Sequence, residues 1–185
     1  MRGEAANRLD TVKRNVSARY IGLDLSLTSP GFAIIEVAAR RPRLVAHTHY
    51  KTEAADSQPL RYELIESFAL VWLRDQIRKG PPISAVIREA WPPSRDVKLN
   101  DKVHGAWSAV DRALTRIGLA VEKNIPPTSV KKTVAGSGSA TKDDIAVAVR
   151  RICGLPADYT FATDDESDAA AIVLAWLISE GVIDT

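Results

Sequence analysis

Three short apolar runs, YIGLDLS (20–26), GFAIIEVAA (31–39) and RLVAHTHY (43–50), follow one another near the start of this 185-residue chain. Each is short for a helix, and turn signals separate them: Thr28-Ser29-Pro30-Gly31 first, Arg41-Pro42 second. Parallel neighbours need a crossover of a dozen residues or so, whereas strands joined by tight turns run antiparallel. The spacing therefore predicts a three-stranded meander. The pattern then changes. Leu64, Phe68, Val71 and Ile77 recur at helical spacing within 60–77, stopped by Gly80-Pro81-Pro82, and ISAVIREA (83–90) reads as a buried strand closed by Pro92-Pro93. A helix is expected over about 98–117, a strand over 118–124 and, after Pro126-Pro127, helices near 128–134, over 142–153 and over 165–178. A meander followed by alternating strands and helices predicts a mixed α/β sheet with helices on both faces.

The length suits one domain (19–185) behind a charged, poorly patterned tail (1–18). A single cysteine, Cys153, excludes an internal disulfide and a Cys-rich zinc site; it shares a helix stripe with Ile145 and Val149 and reads as core. No apolar run approaches a membrane span and the N-terminus lacks the apolar stretch of a signal peptide, so a cytoplasmic protein without membrane contact is expected. Charge is segregated. All 25 Lys and Arg lie in 1–151 beside 16 of the 23 acids, a balance of +9, while 152–185 holds seven acids and no base, −7. A basic body suits a polyanion, because phosphate contacts dominate nucleic-acid affinity. The acidic end fits such a partner only if cations neutralise part of it.

The acids carry the chemistry. Asp24 interrupts an apolar strand, on the side of Gly22 and Tyr20, with Ile21 and Leu23 on the other. An ionised acid there is costly unless it is paired, metal-bound or at the sheet's end. Glu89 repeats the pattern at the end of a second strand. An exposed strand end would explain either alone. Asp165 and Asp168 share one face of the first turn of an apolar helix, where capping and the helix dipole also favour acids. Thr163 and Glu166 match a capping box, which gives Glu166 a local task; Asp164 is out of register and at most a helper or cap. Two strand-end acids plus a helical pair are the donor set of a two-metal phosphodiester hydrolase, and Mg²⁺ needs no His or Cys.

The segment SVKKTVAGSGSATKDDIAVAVRRICGLP (129–156), followed by the acids of DDESDAAAIVLAWL, resembles the RuvC family of Holliday-junction resolvases. IGLDLSLTSPGFAII resembles that family's first strand and turn, and VIREAW the strand whose Glu completes the site; the likeness spans about 20–178. It implies a ribonuclease H-like fold with a five-stranded mixed sheet, a homodimer, and paired metal-dependent nicks in branched DNA, four-way junctions above all. The products would carry 5′-phosphate and 3′-hydroxyl ends. It makes Asp24, Glu89, Asp165 and Asp168 the ligands of two Mg²⁺ ions (Mn²⁺ a possible substitute) and sets Lys131 and Lys142 near the scissile phosphate. Lys132, Ser139, Arg95 and Lys98 are expected to touch DNA. An aromatic beyond the family's Glu helps to open the junction; Trp91 lies one residue early with two prolines after it, so packing at a strand end is the other account. The N-terminal extension and the AWPPSRDVKLN loop resemble the phage branch, which would act in a host cytoplasm.

Other signals are weaker. Gly136-Ser137-Gly138-Ser139 lacks the Walker A spacing but offers backbone N–H groups to a phosphate. His47 and His49 lie on one side of a strand with no third ligand nearby and read as surface residues; nothing singles out His104. Two rival functions remain open: a non-catalytic branched-DNA binding module of the same fold, and an actin-like ATPase, for which 185 residues leave little room.

Overall fold

The computed structural model describes residues 17–92 and 95–184. Most of the expected tail, 1–16, lies outside the described residues. β1 (Ala18–Asp24), β2 (Gly31–Ala38) and β3 (Arg41–His49) form the antiparallel meander. After α1 (Gln58–Ile77), β4 (Ile83–Glu89) pairs parallel to β1; after α2 (Val97–Thr115), β5 (Lys123–Ile125) pairs parallel to β4. The sheet order is β3-β2-β1-β4-β5. α3 (Pro127–Ala135), α4 (Lys142–Cys153) and α5 (Asp164–Ser179) complete the fold. The five-stranded mixed sheet and the helix positions are those expected from the sequence.

Strand alternation divides the core into two layers. Ile21, Leu23, Phe32, Ile34 and Val86 face α1 and α2, meeting Ile65, Leu73, Val110 and Leu114. Tyr20, Ala33, Ile35 and Ile87 face the other way, onto α3, α4 and α5, where Cys153 is buried with Ile145 and Val149. Asp24 belongs by parity to the second side.

Two local expectations shift. The hairpin turn is Ala39-Arg40 rather than Arg41-Pro42; both turn residues take left-handed φ values of 48° and 64°. Such a turn matches the strand twist but strains residues with a Cβ. Arg40 offsets this, donating through Nε to Asp184 at 3.0 Å and through Nη1 to the Gly181 carbonyl at 2.9 Å. Pro42 then falls inside β3, tolerated because β3 is an edge strand. The expected strand over 118–124 shrinks to Lys123–Ile125, because Gly118 (φ 75°) and Leu119 still close the end of α2.

α5 positions the site. Its buried Ala169–Ala175 stretch lies so close to the sheet that a Cβ on Gly22 would collide with the Ala169 carbonyl and Val173, and one on Gly31 with the Asp165 backbone. Gly22→Ala should lower stability by about 1–3 kcal/mol, read as a reduced urea midpoint with an unchanged slope.

Candidate active site

β1 and β4 run parallel with Leu23 beside Arg88, so the next residues, Asp24 and Glu89, emerge together at the carboxyl ends of the strands. That end of a parallel sheet is where ligands bind in α/β folds. Asp24 also pairs with Gly31 of β2, and the first turn of α5 rests on Gly31. Acids from three segments thereby come near one another. A cleft of about 270 Å³ is lined by Asp24, Glu89, Asp168, Lys131 and Lys142, floored by Val130 and Ile145. Asp165 stands beside it, accepting a hydrogen bond at Oδ2 from Ser29 Oγ at 2.7 Å. Lys142 Nζ donates to Asp168 Oδ2.

The acids disturb one another. Burial raises the Asp24 carboxyl well above the usual carboxylate range, and the charges of Glu89, Asp168 and Asp165 raise it further against Lys142. Glu89 is pushed up to about 7, by burial and then by Asp168. Asp168 is raised by burial despite its bond from Lys142. Burial works against the charge on Lys142, but Asp168, Asp24 and Asp165 outweigh it and its pKa rises. Close carboxylates cannot all ionise unless cations neutralise them. Hard oxygen donors in one cleft suit a divalent cation by charge and chemistry. Among the described residues, however, no three His, Cys, Asp or Glu side chains are already drawn together as a metal cage. Separation is the arrangement like charges favour.

The other expected DNA contacts do not line this cleft. Lys132, Ser139, Arg95 and Lys98 are exposed. Trp91 is half-buried, its Nε1 donating to Asn100 Oδ1 at 2.7 Å, beside a crevice shared with Asp24, Glu89 and Trp107. His104 is exposed with its ring edge-on to Trp107.

Two groups escaped the sequence reading. Arg88, one residue before Glu89 and on the opposite face, is buried; it bonds Asp111 and Asn124 and stacks 3.8 Å over Trp107. Its signal was a charge inside an apolar strand. The capping box does not form: Thr163 makes no side-chain cap, and its Oγ1 is buried without a partner. Glu166 instead receives His47 Nδ1 and His49 Nδ1, each at 2.7 Å, and the Ala162 N–H at 3.1 Å. His47 and His49 are therefore partly buried partners of Glu166 rather than surface residues. Their shared parity was visible; their partner, more than a hundred residues away, was not.

The five-stranded mixed sheet, with acids at the ends of its central strands and at a helix start, is a ribonuclease H-like arrangement. The family model for "Crossover junction endodeoxyribonuclease RuvC" matches residues 20–176. RuvC from Acidiphilium cryptum is 32% identical over 159 residues, 86% of this chain and 90% of that protein. The Thermus thermophilus RuvC structure superposes with a TM-score of 0.72 at 28% identity, covering 89% of this chain and 97% of that one. The T. thermophilus RuvC complex with a Holliday junction substrate gives 0.71 at 25% identity, with the same coverage. The chain belongs to the RuvC family of crossover junction endodeoxyribonucleases. It is thus a hydrolase of DNA phosphodiester bonds, and no helix among its described residues is long and apolar enough to cross a membrane.

The raised acids make stability depend on pH. Below about pH 4.5, Glu89 is protonated folded and unfolded, and its contribution is fully present; it is lost as pH rises towards 7. Asp24 and Asp168 act in the same direction. In chelator, Glu89→Gln should flatten the fall in Tm between about pH 5 and about pH 8 and exceed wild type at the upper end.

Proposed function

We propose that this chain is a homodimeric, cytoplasmic resolvase of four-way DNA junctions in which Asp24, Glu89, Asp165 and Asp168 hold divalent metal. The observation that carries this reading is the cleft at the carboxyl ends of β1 and β4, lined by Asp24, Glu89, Asp168, Lys131 and Lys142, with Asp165 close enough for its charge to raise Asp24. Mg²⁺, two ions per site, is the proposed cofactor, with Mn²⁺ as substitute, since all four donors are carboxylate oxygens. Divalent metal held by these acids would supply a Lewis acid for the attacking water and for the leaving oxygen. The chain's own residues do the rest. Asp24 and Glu89, on rigid strand ends, and Asp168, on α5, fix the donor geometry, while Ser29 orients Asp165. Lys142 brings a cation beside Asp168 where negative charge builds on the phosphate, and Lys131 flanks it. Attack of water on phosphorus, with cleavage of the bond to the 3′ oxygen and a proton passing to that oxygen, would leave 5′-phosphate and 3′-hydroxyl ends. Two copies related by a two-fold axis present one site to each of two opposed strands, hence paired nicks.

Lys132, Ser139, Arg95 and Lys98, all exposed, are assigned to the phosphate backbone, and the exposed loop at Gly136–Ser139 offers backbone donors. Trp91 is assigned to DNA as a packed neighbour of the site, held by Asn100, rather than as a free wedge. A binding module without catalysis is disfavoured by the complete acid and lysine set.

The deciding experiment is nicking, with Mg²⁺, of four-way, three-way, flap and linear DNA with cuts mapped on both strands. Symmetric cuts in four-way junctions are expected; none with Mg²⁺ or Mn²⁺ would favour the binding module. Asp24→Asn should abolish cleavage with binding nearly intact, and retained cleavage would sink the ligand assignment. Lys132→Ala should weaken binding of all sequences alike and reduce the salt slope by about 1.

A further inference from the structure

β3 carries no metal ligand, yet it grips the helix that carries two of the proposed ones. His47 and His49 lie two apart on β3, so both rings emerge on the α5 side. Each directs Nδ1 at a different oxygen of one carboxylate, His47 at Glu166 Oε2 and His49 at Oε1, both at 2.7 Å. An ionised carboxylate has no proton, so both rings donate. The Ala162 N–H, just before α5, donates to Oε2 at 3.1 Å. Burial alone would raise the Glu166 carboxyl, but its bonds from His49, Ala162 and His47 outweigh that and hold it below the ordinary value. Tyr159 reaches His47 Nε2 at 2.5 Å, and Phe161 stands edge-on to the same ring at 5.2 Å. The Glu166 side chain is 5% exposed, so its three bonds are sheltered from water.

Glu166 sits between Asp165 and Asp168 in the first turns of α5. His49 is paired with Gly31, the residue on which Asp165 rests, and Gly31 is paired with Asp24. One line across three strands thus joins the clamp to the site. We propose that His47 and His49 are positioning residues for metal binding: through Glu166 they fix the start of α5 over Gly31, and with it the placement of Asp165 and Asp168 relative to Asp24. A surface role would leave the two rings independent. A role confined to general packing would not need two donors matched to two oxygens. The proposal rests on the assignment of Asp165 and Asp168 as ligands.

The test is Mn²⁺ affinity, read from the free-ion electron paramagnetic resonance signal, for the full chain without DNA, which the loaded protein would cut. His49→Ala should weaken Mn²⁺ binding about tenfold or more, the usual cost of losing a group that orients ligands. Junction affinity in chelator should not change. Asn places an amide N–H near the position of Nδ1, so His49→Asn should stay within about threefold of wild type. Should His49→Ala fold poorly, Glu166→Gln keeps the shape with one carbonyl oxygen for two imidazoles and should show an intermediate loss. Wild-type Mn²⁺ affinity in His49→Ala or Glu166→Gln, or no rescue by His49→Asn, would overturn the clamp. Asp165→Asn separates the two ideas. If it loses Mn²⁺ while His49→Ala does not, the clamp fails and the ligand assignment stands; if Asp165→Asn binds Mn²⁺ as wild type does, the ligand assignment fails and takes the clamp with it.

Discussion

The backbone of α5 lies against β1 and β2 at Gly22 and Gly31, where the sheet has no side chains to hold it off. The geometry of the whole site depends on this contact. The helix brings acids to the strand ends, and the distance at which it rides decides whether they reach Asp24 and Glu89. Small residues at Ala169, Ala170 and Ala171 complete the close fit, and all three are fully buried. A bulkier seam would preserve a helix and a sheet but separate the carboxylates.

That closeness concentrates like charge. The cleft raises Asp24, Glu89 and Asp168, with burial the first cause in each; neighbouring acids come next for Asp24 and Glu89, while at Asp168 Lys142 comes next and works against the rise. Stability is given up to gather groups that gain their full charge only when cations join them, the usual relation between a strained site and its function. The acidic segment after residue 151 is thereby reconciled with a DNA partner: part of it faces the cleft, while Asp184 answers Arg40 and Glu166 answers the histidines.

Local signals carried much of this. The meander, the helices and the parity of Asp24 follow from apolar periodicity and turn residues, which act over a few positions. Asp24 and Glu89 were only mildly unusual as charges ending apolar strands, and Asp165 and Asp168 passed equally as helix caps; the likeness to the RuvC family is what joined the four. What could not be read locally depends on distant partners. Thr163 and Glu166 satisfy the capping pattern in sequence, yet the carboxylate finds better donors on β3, with Ala162 in place of Thr163 on the backbone side. Arg88 likewise drew no reading from the sequence, because the partners that explain it, Asp111 and Trp107 on α2 and Asn124 on β5, are distant along the chain. The hairpin turn moved to Ala39-Arg40 for the same reason, because Asp184 and Gly181 wait at the far end of the chain.

The Arg40 pair has a mechanical consequence. Asp184 and Gly181 lie just beyond the end of α5, so this helix is fastened to the meander at both ends: by Ser29 and the histidines at its start, and by the hairpin arginine past its finish. Sixteen residues of helix span about 24 Å. Sliding the helix by a single residue, about 1.5 Å along its axis, would have to break polar pairs at opposite ends of the sheet together. The height of two aspartates above the strand ends is thus a property of the whole length of the helix, set like a bar clamped in two brackets.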